Sequence, residues 1–276
     1  TLHAVGAFSG SLLVDESSSF APLTSAGETD LAIIRFGDSP AGGTEPEEPN
    51  VSLNLESVGI LTGQAEISAI AWDLQGGLLI SGQTVFTDDL DPGPDEFNLP
   101  MAGFRTAFLS RLHPDGTLDW VKGLESQTFG GSIIGGPVAV GPDGSILTGG
   151  TFNADVDVDP GPGKFILTPE PNVTNAYICK LTPGGSLDWA VHFLRNAPHE
   201  IIVDNDGQLY VTGIIVGGGT AYFGPLSVTR EVNEVYVCKL SSEGDVLWVS
   251  ATDGFNGSGF SEAAKYANLV FLQDGS

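Results

Sequence analysis

An internal repeat narrows what this chain can fold into more than any other feature. Three segments align: Ala107-Phe-Leu-Ser-Arg-Leu112, Ala176-Tyr-Ile-Cys-Lys-Leu181 and Val235-Tyr-Val-Cys-Lys-Leu240. Each runs into a glycine-bearing turn: His113-Pro-Asp-Gly116, Thr182-Pro-Gly-Gly185 and Ser241-Ser-Glu-Gly244. Each turn leads to a tryptophan-bearing segment: Leu118-Asp-Trp120, Leu187-Asp-Trp189 and Val246-Leu-Trp248. A degenerate copy stands at Leu31-Ala-Ile-Ile-Arg-Phe36. A second hairpin recurs at Ile70–Gly82, at Val138–Gly150 around Asp143-Gly144, and at Ile201–Gly213 around Asp206-Gly207. Apolar runs meeting at a short Asp-Gly turn are a strong local hairpin signal. The closing glycines fall at 82, 150 and 213, in steps of 68 and 63 residues.

Two hairpins per repeat make a four-stranded unit, and such units in series are what a β-propeller blade requires. A blade cannot bury both faces alone, so neighbours must stack. No sustained 3.6-residue periodicity accompanies these strands, and only Ser261–Asn268 could make a helical turn or two. The expectation is therefore an all-β fold, a propeller of four-stranded blades.

The segment Val270-Phe-Leu-Gln-Asp-Gly-Ser276 reads as a first strand with its turn, and Thr1-Leu-His-Ala-Val-Gly6 as a returning strand. Paired, residues 269–273 and 1–6 would complete a fourth blade shared by the N- and C-terminal strands, leaving no free edge there. The expected organisation is a single domain with repeat units near 6–81, 82–149, 150–212, and 213–276 joined by 1–5. A segment of a longer propeller is the alternative and stays open.

Composition bounds the partners. The chain has 276 residues with 38 Gly and 17 Pro, which suits short strands and many turns. Its 35 acidic and 10 basic residues give a net charge of −25. Such a surface repels phosphate backbones and anionic headgroups, so nucleic acid is not an expected partner. No apolar run approaches the roughly 20 residues of a spanning helix, so no membrane insertion is expected. Cys179 and Cys238 are too few for a disulfide scaffold. Their shared repeat position predicts two buried, reduced thiols. Thr1, in place of an initiator methionine, leads to the expectation that a secretory signal has been removed.

The combined pattern resembles the bacterial β-propeller repeat of secreted and cell-surface proteins. The resemblance is carried by Leu23–Asp30, Asp157-Val-Asp-Pro-Gly-Pro-Gly163, Ala176–Leu181, Gly185-Ser-Leu-Asp-Trp189 and Asp206-Gly-Gln-Leu-Tyr-Val-Thr-Gly213. The insertion at 37–50 and Gly217-Gly-Gly219 depart from it. The resemblance implies an extracellular or envelope scaffold, and it carries over no catalytic residues.

The most chemical-looking segments are the acidic links Asp88-Asp-Leu-Asp-Pro-Gly-Pro-Asp-Glu96 and Asp155-Val-Asp-Val-Asp-Pro-Gly161. In an extended strand Asp155, Asp157 and Asp159 share one face at intervals of about 6.6 Å. Oxygen ligands in a flexible loop suit calcium, so Asp88, Asp89, Asp91, Asp155, Asp157 and Asp159 are the candidate ligands. Solvated acidic turns explain the same residues and are the preferred reading, with calcium the alternative. No EF-hand is present, since position twelve from Asp155 is Ile166. The repeated tryptophans are expected to pack between repeats rather than form a stacking platform. The four histidines (3, 113, 192, 199) have no metal-ligand spacing, and no nucleophile elbow, zinc motif or phosphate loop occurs. Three glycosylation-type triplets begin at Asn50, Asn172 and Asn256. The functional expectation is a non-catalytic structural or binding module whose partners are other proteins or surface glycans. The alternative is a carbohydrate-active enzyme built from paired carboxylates at the propeller mouth, which leaves no local sequence mark.

Overall fold

A computed structural model of the chain describes residues 65–85, 88–93, 95–99, 103–231 and 233–251 with their side chains. Within residues 1–64 it describes the backbone of β1 (Leu2–Phe8), β2 (Ser11–Leu12), β3 (Leu23–Thr24), β4 (Asp30–Asp38) and β5 (Leu53–Leu61). Every regular element among the described residues is a strand, and all sheets are antiparallel. Among these residues no helix is long and apolar enough to cross a membrane.

Three sheets carry the repeat. Sheet I is the meander β6 (Glu66–Trp72), β7 (Leu78–Thr84), β8 (Thr106–Leu112) and β9 (Leu118–Ser126). Sheet II is β10 (Ile133–Val140), β11 (Ile146–Phe152), β14 (Asn175–Leu181) and β15 (Leu187–Leu194). Two short strands, β12 (Val156–Asp157) and β13 (Ile166–Leu167), lie in the connection from β11 to β14. Sheet III is β16 (Asn196–Val203), β17 (Leu209–Ile215), β20 (Glu234–Leu240) and β21 (Val246–Ala251), with β18 (Gly219–Phe223) and β19 (Leu226–Arg230) in its own middle connection.

The repeat holds at the level of backbone register. The closing glycine faces an aromatic residue each time: Gly82 opposite Phe108, Gly150 opposite Tyr177, Gly213 opposite Tyr236. A bulge falls at the same step between third and fourth strands, at Arg111/Leu112, Lys180/Leu181 and Lys239/Leu240. The N-terminal sheet β1–β4–β5 keeps the bulge, at Arg35/Phe36, and the register of the closing glycine, although Gly6 faces Ala32 where the other copies have an aromatic residue. It therefore matches strands two to four of the repeat, and the degenerate copy Leu31–Phe36 is β4. The expected first strand of that unit, residues 269–273, lies outside the described residues.

Sheets I, II and III stack face to face, with β10 between β6 and β16. One core lies between sheets I and II, where Leu79, Leu109 and Leu124 meet Ile133, Ile146 and Phe152. A second lies between II and III, where Leu147, Ile178 and Phe193 meet Ile201, Leu209 and Val211. Alternation along a strand sends Cys179 into the first core and Cys238 into the second. Each thiol thus faces the preceding sheet and not the other thiol. Both are free and buried, and burial pushes the Cys238 pKa up to about 12.

The tryptophans do part of what the repeat predicts. Trp120 of sheet I lies against the turn glycine of sheet II, 3.3 Å from where a Gly185 Cβ would stand. Trp189 of sheet II covers Gly244 of sheet III and donates its indole N–H to the Ser242 carbonyl at 2.9 Å. Trp248 lies edge-on to Tyr210 and is 41% exposed. It sits in sheet III, whose β20 residues alternate between buried and half-buried, so the two faces of this strand are unequally covered.

The middle connections lock the stack. β12 and β13 leave sheet II and add to the outer strand of sheet I, with Val156 opposite Ser126 and Asp157 opposite Glu125. β18 and β19 leave sheet III and add to sheet II, with Phe193 opposite Phe223 and Leu194 opposite Tyr222. Phe223 anchors this clasp, its ring centroid 5.3 Å from Phe193 and 4.8 Å from Tyr236.

Candidate functional site

The second acidic link runs into the turn of the β12–β13 clasp, and the first opens a turn closed by the bridge between Asp89 and Asn98. Asp157 accepts the backbone amides of Asp159 (3.2 Å) and Phe165 (2.9 Å) on Oδ1, and Asp159 accepts that of Gly161 (2.8 Å). The preceding link repeats the pattern: Asp89 Oδ1 accepts the amides of Asp91 (3.0 Å) and Phe97 (2.9 Å), and Asp91 that of Gly93 (2.7 Å). Asp88 is buried and accepts the Thr84 hydroxyl, while the Asp155 carbonyl accepts the Gln127 amide. A long turn leaves amides without ladder partners, and a short carboxylate side chain is a ready acceptor for them. The β18–β19 clasp turns through Gly224 and Pro225 alone, with Gly224 at φ 58°, and needs no such scaffold. That accounts for the absence of aspartate there. Among the described residues no group of three or more His, Cys, Asp or Glu side chains is arranged to hold a metal ion.

A different place gathers the features of a site. A cleft of about 450 Å³ opens where the start of β10 and the ends of β11 and β17 meet the links before β14 and β16. Ser132 and Ile134 come from β10 and its approach, Thr151, Phe152 and Asn153 from the end of β11, and Asn172, Val173 and Thr174 from the link before β14. Arg195, Val216 and Gly217 complete it. This size lies within the range of about 300–1,000 Å³ typical of small-ligand sites.

Backbone geometry marks the same place. Asn172 (φ 61°) and Arg195 (φ 59°) are the only non-glycine residues with positive φ among the described residues, and both line the cleft. Left-handed backbone outside glycine persists where surrounding structure holds it, and such residues gather at functional sites. The cause at Arg195 is topological. It alone joins β15 to β16, whereas residues 127–132 join β9 to β10. Its amide donates to the Thr174 carbonyl (2.7 Å) and its own carbonyl accepts the Val216 amide (2.7 Å), which pins the conformation.

A buried polar relay supports the cleft wall. Asn175 donates through Nδ2 to the carbonyls of Glu170 (3.0 Å) and Val173 (2.9 Å), and its Oδ1 accepts the Glu170 amide (2.8 Å). His192 Nε2 is 2.9 Å from the same Oδ1, so histidine must be the donor and Nδ1 the unprotonated nitrogen. Burial lowers the His192 pKa, with the Glu170 charge opposing, so the ring is neutral at neutral pH. Its face lies 5.0 Å from the Phe152 ring that floors the cleft.

The charge of the cleft is the reverse of the chain's. Its lining contains no Asp or Glu, and its one formal charge is the Arg195 guanidinium. Arg195 Nη1 donates to the Gly218 carbonyl at 3.0 Å, and the residue makes no ion pair with a described carboxylate. Beside the cleft, at the same end of the sheets, Phe104 and Phe129 are 55% and 98% exposed. Their loops are tied together by the Phe104 amide donating to the Gly131 carbonyl at 2.7 Å. Neither Arg195 nor the cleft follows from the repeat pattern. The only trace in sequence is that Trp189 lies much closer to the next hairpin than Trp120 does. No family model matches this chain, and no curated protein sequence matches it significantly.

Proposed function

We propose that this chain is a β-propeller module of the cell exterior that recognises a glycan partner at the cleft between sheets II and III and performs no chemistry on it. The stacking of sheets I to III, the matching backbone of β1–β4–β5 and the half-buried second face of β20 support four blades. In this reading residues 269–273 complete the fourth unit, which seats on that face beside Trp248. The resemblance to secreted propeller repeats supports the extracellular placement.

One observation carries the preference for binding over catalysis: the cleft lining offers amides, hydroxyls and a guanidinium but no carboxylate. A glycosidase of the ordinary kind needs two carboxyl groups flanking the scissile bond. Sugar recognition needs what is present, apolar walls with a few placed polar groups. A saccharide array followed by chromatography of the bound material tests the proposal. Bound saccharides should be recovered uncleaved; turnover that disappears on changing a single Asp or Glu would overturn it.

A further inference from the structure

We infer that the ligand of the cleft is an anionic saccharide whose acidic group, a carboxylate or a sulfate ester, is taken by Arg195. The inference rests on the binding reading above and deepens it. A half-buried cation in a chain of net charge −25 has abundant acidic side chains to pair with, yet Arg195 makes no ion pair among the described residues. Its side chain's hydrogen bond among the described residues, from Nη1 to the Gly218 carbonyl, orients the guanidinium while leaving Nε and Nη2 without an acceptor among those residues. Two donors on one rigid plane match the two oxygens of an acidic group, which a lysine ammonium cannot do.

The surroundings favour an anion for a second reason. The overall field of the protein repels anions, so only a site that excludes carboxylates and holds its cation in place can retain one. The cleft meets both conditions: its lining lacks Asp and Glu, and the Arg195 backbone is held at φ 59° by hydrogen bonds on both sides. Ile134, 37% exposed, and Val173 give the sugar ring an apolar surface. Asn153, Asn172 and Thr174 place amides and a hydroxyl around it for the ring hydroxyls.

The test is isothermal titration calorimetry of the full chain in about 150 mM salt, near the physiological screening regime. The probes are a galacturonic acid trisaccharide, a sulfated galactose oligosaccharide of equal length, and neutral maltotriose and galactotriose. At least one acidic probe is expected to bind ten-fold or more tightly than both neutral ones, and which one identifies the acidic group. Arg195→Gln should remove that preference, with Lys164→Gln, an exposed cation outside the cleft, leaving it unchanged. Ile134→Glu keeps Arg195 but places a negative charge on the exposed wall, and it should abolish acidic binding. Equal binding of neutral and acidic probes, or acidic binding unaffected by Arg195→Gln, overturns the inference while leaving the cleft a saccharide site. No binding of any probe overturns both.

Discussion

Replacing Gly150 by alanine should cost far more than the same change at Gly184, in the turn between β14 and β15 of the same sheet. A Cβ at Gly150 would stand 1.9 Å from the Ile134 carbonyl oxygen and 2.8 Å from the Tyr177 hydroxyl. The bulge between Gly135 and Val138 brings β10 over this position, and Tyr177 lies opposite it in register. Overpacking costs roughly 1–3 kcal/mol, and here the obstacle is main chain, so about 3 kcal/mol or more is expected. At about 2–4 °C per kcal/mol for a chain approaching this size, the melting temperature should fall by roughly 6–12 °C. Gly184→Ala is the control, because its nearest neighbour is Thr182 Oγ1 at 4.0 Å. There the loss of unfolded-state freedom should leave stability level or raise it by up to about 1 kcal/mol. Tyr177→Phe removes the hydroxyl but not the carbonyl, so combining it with Gly150→Ala should recover only a small part of the loss. Urea titration and thermal melts followed by circular dichroism read all four proteins. If Gly150→Ala lies within about 0.5 kcal/mol of Gly184→Ala, the ordinary range for changes that disturb nothing, then β10 is not held over this glycine and the register argument fails.

Four further outcomes follow from the site, its supports and the two cores. Asp157→Ala should lower stability by about 1–3 kcal/mol by leaving two amides unpartnered, while Asp157→Asn, which keeps the acceptor, should cost less. Calcium should raise the melting temperature no more than sodium chloride at matched ionic strength; a calcium-specific rise lost in Asp157→Asn would identify these residues as ligands. Both thiols should be unreactive towards a disulfide reagent in the native state and titrate fully in denaturant, and a missing thiol would contradict the two separate cores. His192 is held neutral by burial, so the unfolded chain takes up its proton first as pH falls. Stability should therefore decline as pH drops through the unfolded value near 6.5, and His192→Gln should flatten that part of the profile; an unchanged slope would place the titration elsewhere.

What the sequence made legible was local. Asp-Gly turns, Trp-bearing strands and closing glycines are each set by a few neighbouring residues, and the strands they predict are β6 to β11, β14 to β17, β20 and β21. Even the degenerate copy Leu31–Phe36 kept the register of the others. What stayed hidden depended on partners distant in the chain. The clasp strands pair with the preceding sheet, and nothing in Val156-Asp157 announces Ser126 and Glu125 as its neighbours. Asp89 and Asp157 read alike as metal ligands or amide acceptors, because a carboxylate serves both chemistries, and only the folded positions of Phe97 and Phe165 reveal the amide-accepting role. The cleft is assembled from separate stretches of chain, and its one charge, Arg195, belongs to no motif. A repeat displays what its copies share, whereas this site lies where one junction departs from the others.

The claim on which the rest depends is that the fourth unit closes the stack, with residues 269–273 running beside β1. Oxidative trapping tests it directly. In a Cys179→Ala, Cys238→Ala background, a cysteine at position 4 is paired in turn with one at each position from 269 to 273. Neighbouring antiparallel strands bring opposed Cβ atoms to about 4.5–5.5 Å, and only the position facing residue 4 approaches the geometry a disulfide needs. The account predicts rapid intramolecular crosslinking at one of these positions, with a sharp fall at those beside it. Crosslinks that form only between molecules, or equally slowly at all five positions, would contradict the closed four-unit arrangement.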